Sequence, residues 1–454
     1  MNTEAESPSR IPPLKSIGVA GFKSIRDKQS IAIAPLTILA GANSSGKSSV
    51  MQPLLLMKQT LEAPFDPGAL AIAGPYTNFT RIDQMLFRSK SHELSNSVTE
   101  IQVELVLDSN ESVEVDYSVG GGIGEGPFYL KSQKFSHPLG TYTINPYVNE
   151  MELMKRLNSI RRFEADPGEI STNKYKLMFK RKRCFFEGRL SRASGGESGT
   201  IDVTSPYISN MIFNLLGLIY VPARRGDSAR SYPIASVERF FPGMFPHYFP
   251  SLINKWIKES ADEKNRLETA MRDLGFGAKI QARPSTASDV ELFVSRLGDQ
   301  DIHDGSDDLV NLADVGIGVA QALPVITALI AAHSGGIVYI DQPELHLHPR
   351  AQITMAKLLA DAAEKGVRVV VETHSELLLL SIQTLVAEGY LSPRDVKLHW
   401  FERDKRTGVT TVASADLDST GRFGDWPEDF GDTSLTAEGR YLDAAEARLS
   451  VEAL

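Results

Sequence analysis

The stretch Gly41-Ala-Asn43-Ser44-Ser45-Gly46-Lys47-Ser48 constrains this chain more than any other, because it fits the pattern G-x-x-x-x-G-K-[ST] and lies between the two elements such a loop joins. Before it, Leu36 to Ala40 is an apolar run that reads as a buried strand, and after it Ser49 to about Glu62 reads as a helix. Glycines at 41 and 46 let the backbone curl so that its N–H groups point inward at phosphate oxygens. The start of the helix adds further free N–H groups and its positive dipole end. Asn43, Ser44, Ser45 and Ser49 belong to the same cradle, Lys47 would reach the β- and γ-phosphates, and the Ser48 hydroxyl would ligate Mg²⁺. Pro53, beyond the first turn of the helix, is expected to kink it or to remove one of its hydrogen bonds.

A chain of 454 residues is too long for one ordinary domain, so two or three lobes are expected. A net charge of −9 argues against a constitutive coat of nucleic acid but not against a local basic groove. The single cysteine, Cys184, leaves no intrachain disulfide and no cysteine-rich metal site, which fits a reducing compartment; beside Phe185 and Phe186 it reads as a small buried side chain. Met1 to Pro13 is polar with no basic-then-apolar leader, and no apolar run approaches the roughly eighteen residues of a membrane span. A soluble, cytoplasmic protein with no membrane partner is therefore expected.

Residues 1–90 read as the first half of a phosphate-loop domain, with strands at Lys15 to Ala20 and Ile31 to Ile33 leading to the loop. Residues 91–305 read as an inserted lobe. There Val98 to Asp108 and Ser112 to Val119 alternate apolar and polar residues like half-exposed antiparallel strands, with a glycine-rich loop from Gly120 to Gly126 behind them. Met151 to Glu164 reads as a helix, and Ile208 to Val221 as a buried helix or strand ending in Pro222-Ala-Arg224-Arg225. The apolar positions from Leu252 to Leu274 read as one face of a helix that stops at Gly275. Residues 306–415 return to short apolar strands alternating with helices: strands at Gly336 to Ile340, Val367 to Val371 and Val396 to Glu402, helices at Arg350 to Glu364 and Glu376 to Glu388. That alternation implies a largely parallel sheet covered on both faces. Residues 416–454 read as an acidic tail. Ligands gather at the carboxyl ends of such strands, where the loop, Asp341 and His374 all fall, so one site is expected to collect them.

Ile337-Val-Tyr-Ile340-Asp341 is an apolar strand ending in a carboxylate, the arrangement that holds the water shell of Mg²⁺ opposite the loop serine. With Pro343-Glu344-Leu-His346-Leu-His348-Pro349 behind it and Val369-Val-Val-Glu372-Thr373-His374-Ser375 in the next strand unit, the chain resembles the ABC-type ATPases of the RecF, SMC and OLD group. The opening Gly21-Phe22-Lys23-Ser24 is typical of that group, and Asn311 to Gln321 occupies the place of its signature helix. More narrowly, Asp-Gln-Pro-Glu-Leu-His-Leu-His-Pro and the late Trp426-Pro427 resemble prokaryotic AAA-labelled ATPases found near phage-defence genes. The resemblance covers about the first ninety and the last hundred and fifty residues. It implies an α/β, ABC-type P-loop NTPase fold with antiparallel strands and an inserted α+β or helical lobe, and ATP with Mg²⁺ as ligands. It also implies a homodimer that sandwiches two ATP molecules, each completed by the Gly316 and Gly318 turn of the partner. His374 would contact the γ-phosphate, and His346 and His348 would belong to a loop crossing the dimer interface.

One departure stands out. The group places a glutamate after the strand-end acid to polarise the attacking water; here the residue is Gln342, which can orient water but cannot accept its proton. Either hydrolysis is slow, or Glu344 supplies the carboxylate. The expected function is a nucleotide-dependent switch with slow ATP hydrolysis, acting on DNA or through a separate effector, in DNA-related or phage-defence processes. The alternatives are an OLD-like nuclease, with Glu402, Asp416 and Asp418 as its acids, and a nucleotide-gated scaffold without turnover. Lys174, Lys176, Lys180, Arg181, Lys182 and Arg183, interleaved with Tyr175 and Phe179, offer either a nucleic-acid groove or a solvated face. Arg224 and Arg225 offer a phosphate or interface contact, or surface ion pairs.

Overall fold

The computed structural model describes residues 11–88, 98–120, 126–138, 140–145, 175–192, 200–203, 206–225, 229–296, 308–424 and 439–445. The helix expected at 151–164, Lys174, the centre of the 120–126 loop and Trp426-Pro427 lie outside these residues. In chain order the elements begin with β1 (Leu14–Ala20), β2 (Gln29–Ala32), β3 (Leu36–Gly41) and α1 (Lys47–Glu62), followed by β4 (Glu100–Leu107), β5 (Ser112–Val119), β6 (Phe128–His137) and β7 (Gly140–Ile144). Next come β8 (Tyr175–Lys182), β9 (Phe185–Arg192), β10 (Thr200–Val203), α2 (Pro206–Gly217), β11 (Ile219–Val221) and β12 (Tyr232–Pro233). Then follow α3 (Phe249–Glu259), α4 (Ala261–Asp273), β13 (Ile280–Pro284), β14 (Asp289–Ser295) and β15 (Leu309–Asn311). The chain closes with α5 (Ile317–Ala331), β16 (Ile337–Asp341), α6 (Pro349–Glu364), β17 (Arg368–Glu372), α7 (Glu376–Ala387), β18 (Val396–Arg403) and β19 (Thr410–Asp416).

The core sheet has the order β11-β16-β17-β3-β18-β19, parallel throughout except for the last pair. Its central strands β16, β17 and β3 are near-continuous apolar runs because both faces are covered there, and the two-residue period deals their side chains to two different cores. Leu36, Ile38, Ala40, Val338, Ile340, Val369 and Val371 pack with α3 to α7. Leu39, Ile337, Tyr339, Val370 and Phe401 pack with α1 and with an antiparallel sheet of order β2-β1-β4-β5-β6-β7. The fold is thus the expected α/β P-loop class, a largely parallel core accompanied by antiparallel strands. Two smaller antiparallel sheets, β10-β9-β8 and β12-β14-β13 with β15 on β14, complete it.

Two local readings change. Ile208 to Val221 is neither one helix nor one strand but α2 followed by β11. The helix expected across Leu252 to Leu274 is two, because Ser260 turns extended (φ −141°, ψ 98°) and its hydroxyl donates to Glu263, three residues on, which starts α4 afresh. Pro53 lies within α1, which runs on as one element to Glu62.

His399 on β18 is buried between the two sheets. Its Nε2 faces the Ala32 carbonyl at 2.9 Å and so carries the proton, leaving Nδ1 to accept from the Ser414 hydroxyl at 2.8 Å. Burial pushes its pKa down to about 4. The unfolded chain takes up this proton near pH ~6.5, so the stability contributed by neutral His399 is present above that pH and lost as pH falls toward the folded value. The melting temperature is expected to fall between about pH 7 and pH 4.5, and His399→Gln should flatten that slope. An identical slope in the variant would count against this assignment.

Candidate functional site: the carboxyl ends of β3, β16 and β17

β3 delivers the chain into the loop at Gly41 (φ 141°), where a Cβ would lie 2.3 Å from the Phe401 carbonyl oxygen; only glycine lets β18 run this close. Gly46 (φ 105°) then caps α1. Thr410 at the start of β19 clamps the loop from outside, its Oγ1 2.7 Å from the Ser45 carbonyl oxygen and 2.8 Å from Ser24 Oγ. That contact gives the Gly21-Phe22-Lys23-Ser24 segment a physical role as a brace for the loop. Lys47 is 3% exposed, and its Nζ donates to the carbonyl oxygens of Gly41 (3.0 Å) and Ala42 (2.9 Å). Burial lowers its pKa, while the charges of Glu372 and Asp341 oppose that shift.

Asp341 and Glu372 end neighbouring parallel strands at the same register position. By the two-residue period Asp341 shares the face of Ile337 and Tyr339, and Glu372 that of Val370, so both turn toward the start of α1. Ser48 Oγ donates to Glu372 Oε1 (3.0 Å), Tyr339 Oη to Glu372 Oε2 (3.0 Å) and Tyr220 Oη to Asp341 Oδ2 (2.9 Å). Burial, and after it the neighbouring Asp341 charge, push the Glu372 pKa up. Asp341 Oδ1 is buried and has no hydrogen-bond partner. A bare carboxylate oxygen at the mouth of a phosphate loop fits a divalent cation.

Gln342 follows Asp341 in a left-handed conformation (φ 47°), its N–H donating to the Glu372 carbonyl oxygen at 2.7 Å. Glu344 Oε1 accepts from the His374 N–H (3.1 Å), its Oε2 is buried without a partner, and burial raises its pKa. The His374 ring lies beside the Gly41 carbonyl and Lys47, and burial followed by the Lys47 charge lowers its pKa. Arg225 holds the turn from beneath: it donates to the carbonyl oxygens of Asp341 (2.8 Å), Gln342 (3.0 Å) and Gln321 (3.1 Å), and burial brings its pKa down to about 10. It is thus a buried backbone clamp and not a surface partner for phosphate, whereas Arg224 is exposed.

A cleft of about 430 Å³ opens over the loop, lined by Lys23, Lys47, Ser48, Arg88, Glu372 and Arg403 among others. The sequence singles out Lys23 only as part of the Gly21-Phe22-Lys23-Ser24 segment and carries no signal for Arg88 or Arg403, since the three come from separate segments. For Glu372 a signal existed, two apolar strands each ending in an acid. Gly316 caps α5 and has open space around it, whereas a Cβ on Gly318 would come 2.9 Å from the His346 carbonyl oxygen. His346 and His348 are exposed, the latter capping α6 through its Nδ1 (Arg350 N–H, 3.3 Å).

Other candidates do not converge. Glu402 pairs in register with Thr411 and Asp416 with Lys397, so the two acids lie at opposite ends of one hairpin. Asp418 accepts from the N–H groups of Thr420 and Arg422 in a separate turn. Among the described residues no group of three His, Cys, Asp or Glu could hold a metal ion. In the basic cluster, Arg181 forks onto Asp66 (2.9 and 3.0 Å), Lys182 pairs with Glu187 (3.0 Å) and Arg183 donates to the carbonyl oxygens of Ala63 and Phe65. The Arg181 and Arg183 contacts tie the β8–β9 hairpin to the segment after α1, and the Lys182 pair closes the hairpin on itself.

Residues 13–190 match a family described as "AAA ATPase domain", residues 224–381 one described as "AAA domain, putative AbiEii toxin, Type IV TA system", and residues 391–435 one described as "Protein of unknown function (DUF3696)". The phosphate loop falls in the first match and Asp341 and His374 in the second, so both parts of the site lie in stretches similar to AAA ATPase domain families. No curated protein matches the chain. Among solved structures it is similar to an SMC head bound to the C-terminal winged-helix domain of ScpA, with 13% identity and a TM-score of 0.48 over 90% of this chain and 98% of that one. It is also similar to an SMC head domain from Thermotoga maritima, with 12% identity and a TM-score of 0.40 over 89% and 100% of the two chains. A third is an SMC head domain from Pyrococcus furiosus with an extended coiled coil and bound ScpA C-terminal domain, with 11% identity and a TM-score of 0.44 over 89% and 96%. No helix among the described residues is long and apolar enough to cross a membrane.

Proposed function

We propose that this protein binds ATP and hydrolyses it slowly, as a dimeric switch whose nucleotide state controls a separate effector. The observation that carries the reading is the meeting of the phosphate loop, Asp341 and Glu372 at the carboxyl ends of the adjacent strands β3, β16 and β17, with Lys47, Ser48 and Glu372 lining one cleft and His374 just beyond β17. Gly41 to Ser49 cradle the triphosphate, and Lys47 exchanges its two carbonyl acceptors for phosphate oxygens. Ser48 and Asp341 hold Mg²⁺, which supplies charge neutralisation to the β- and γ-phosphates. His374, beside Gly41 and Lys47, contacts the γ-phosphate, and Gln342 orients water without accepting its proton. The Type IV toxin–antitoxin setting in the description of the family matched by residues 224–381 supports a phage-defence role. Phosphate release by purified protein, with and without DNA, tests the reading; ATP bound with no release at all would leave the scaffold in its place.

In this reading Gly316 and Gly318 complete the partner's nucleotide site. Gly318 is a poor place to test that, since a side chain there would strike the same chain's His346 carbonyl. Gly316 has room (φ −59°, no neighbour within 4 Å), so Gly316→Arg should obstruct a partner alone. Light scattering with a non-hydrolysable ATP analogue is expected to give at least a ~10-fold smaller dimer fraction, with nucleotide affinity intact. An unchanged dimer fraction would count against the sandwich.

A further inference from the structure

Resting on the ATP reading above, we propose that Glu372 is the positioning carboxylate of the Mg²⁺ site. It orients the Ser48 hydroxyl and brings in the second negative charge that Gln342, following Asp341, does not provide. A serine hydroxyl has one proton and two acceptor lone pairs. Ser48 gives its proton to Glu372 Oε1 at 3.0 Å, which leaves both lone pairs free and fixes the direction in which they are offered. Glu372 is itself held: it is 8% exposed, and the hydroxyl of the fully buried Tyr339 donates to its other oxygen at 3.0 Å.

The strands add an electrostatic reason. Asp341 and Glu372 are register partners on adjacent strands, a spacing of about 4.8 Å between backbones, and both turn to the α1 face. Two carboxylates so placed repel, and Lys47, the cation whose charge acts on both, points its Nζ at loop carbonyls. Asp341 keeps one oxygen bare and buried. Ser48 and this pair would hold a divalent cation, whose charge would offset the repulsion and give the bare oxygen a partner. Carboxylates that hold a metal ligand from behind tune metal affinity by roughly 10- to 100-fold, without having to touch the ion.

The test is a Mg²⁺ titration of fluorescent ATP-analogue binding in wild type, Glu372→Gln and Tyr339→Phe. Glu372→Gln should raise the half-saturating Mg²⁺ concentration about 10-fold or more, with no comparable loss of binding in excess chelator. Tyr339→Phe keeps the ring and removes only the hydroxyl on Oε2, so it should shift the midpoint the same way by less. A wild-type Mg²⁺ midpoint in Glu372→Gln would overturn the assignment, as would an equal loss of binding with and without Mg²⁺. If Glu372→Gln does not fold, Tyr339→Phe decides alone, and an unshifted midpoint overturns the proposal. Wild-type protein that binds no nucleotide at any Mg²⁺ level is a separate result: it overturns the ATP reading itself.

Discussion

Lys47→Ala is expected to weaken ATP binding by ~10²-fold or more. Charge-assisted hydrogen bonds of this kind contribute about 1.5–3 kcal/mol each, and two of them to phosphate oxygens amount to two decades or more in affinity. The ammonium is already placed, buried with its Nζ on the carbonyl oxygens of Gly41 and Ala42. Binding therefore exchanges acceptors without having to order a free side chain. The substitution has a second consequence in the nucleotide-free protein. It removes the cation whose charge acts on Glu372 and Asp341, so the melting temperature should drop, by less in Lys47→Arg than in Lys47→Ala. Calorimetric titration with ATP checks the first expectation and thermal unfolding the second. Full ATP affinity in folded Lys47→Ala would sink the assignment of the loop.

What the sequence disclosed and what it hid divide along a physical line. Lys47, Asp341 and His374 were legible because each sits inside a run of neighbours that fixes its surroundings: a loop between strand and helix, or the last residue of an apolar strand. Glu372 lay in plain view two residues before His374, yet its place beside Asp341 depends on the register between β16 and β17, about thirty residues apart in the chain. Arg224 and Arg225 look alike in the sequence. Only the packing decides that one reaches solvent while the other is buried beneath the Asp341 turn. The basic cluster left a groove and a solvated face both open because the carboxylate partner of Arg181, Asp66, is 115 residues distant. The break at Ser260 did carry a local signal, a serine followed three residues later by a glutamate, but continuous apolar spacing outweighed it.

Arg225 also ties the site to the helix that the ATP reading places against a partner. One guanidinium reaches the carbonyl oxygens of Asp341 and Gln342 on one side and of Gln321, in the second turn of α5, on the other. A shift of α5 on dimer formation would therefore be felt at Gln342, the residue after Asp341. That is the residue on which the rate of turnover should depend.

Gln342→Glu is accordingly expected to raise single-turnover hydrolysis by ~10²- to 10⁴-fold, the range of a positioned general base. The backbone at 342 is pinned by the Glu372 carbonyl and by Arg225, so a glutamate there would start from a fixed point next to Asp341. The left-handed φ of 47° is already tolerated by glutamine, and the exchange adds no bulk. Glu344 is the rival. Its Oε1 is engaged by the His374 N–H, an acceptor role that glutamine can fill equally well, whereas its Oε2 is free to take a proton. Glu344→Gln therefore separates the two roles cleanly: it keeps the brace on His374 and removes the proton acceptor. If Gln342 limits the rate, Glu344→Gln should change turnover only slightly. Near-complete loss of hydrolysis in Glu344→Gln, with ATP binding and self-association preserved, would instead make Glu344 the base and leave Gln342 to orient the water.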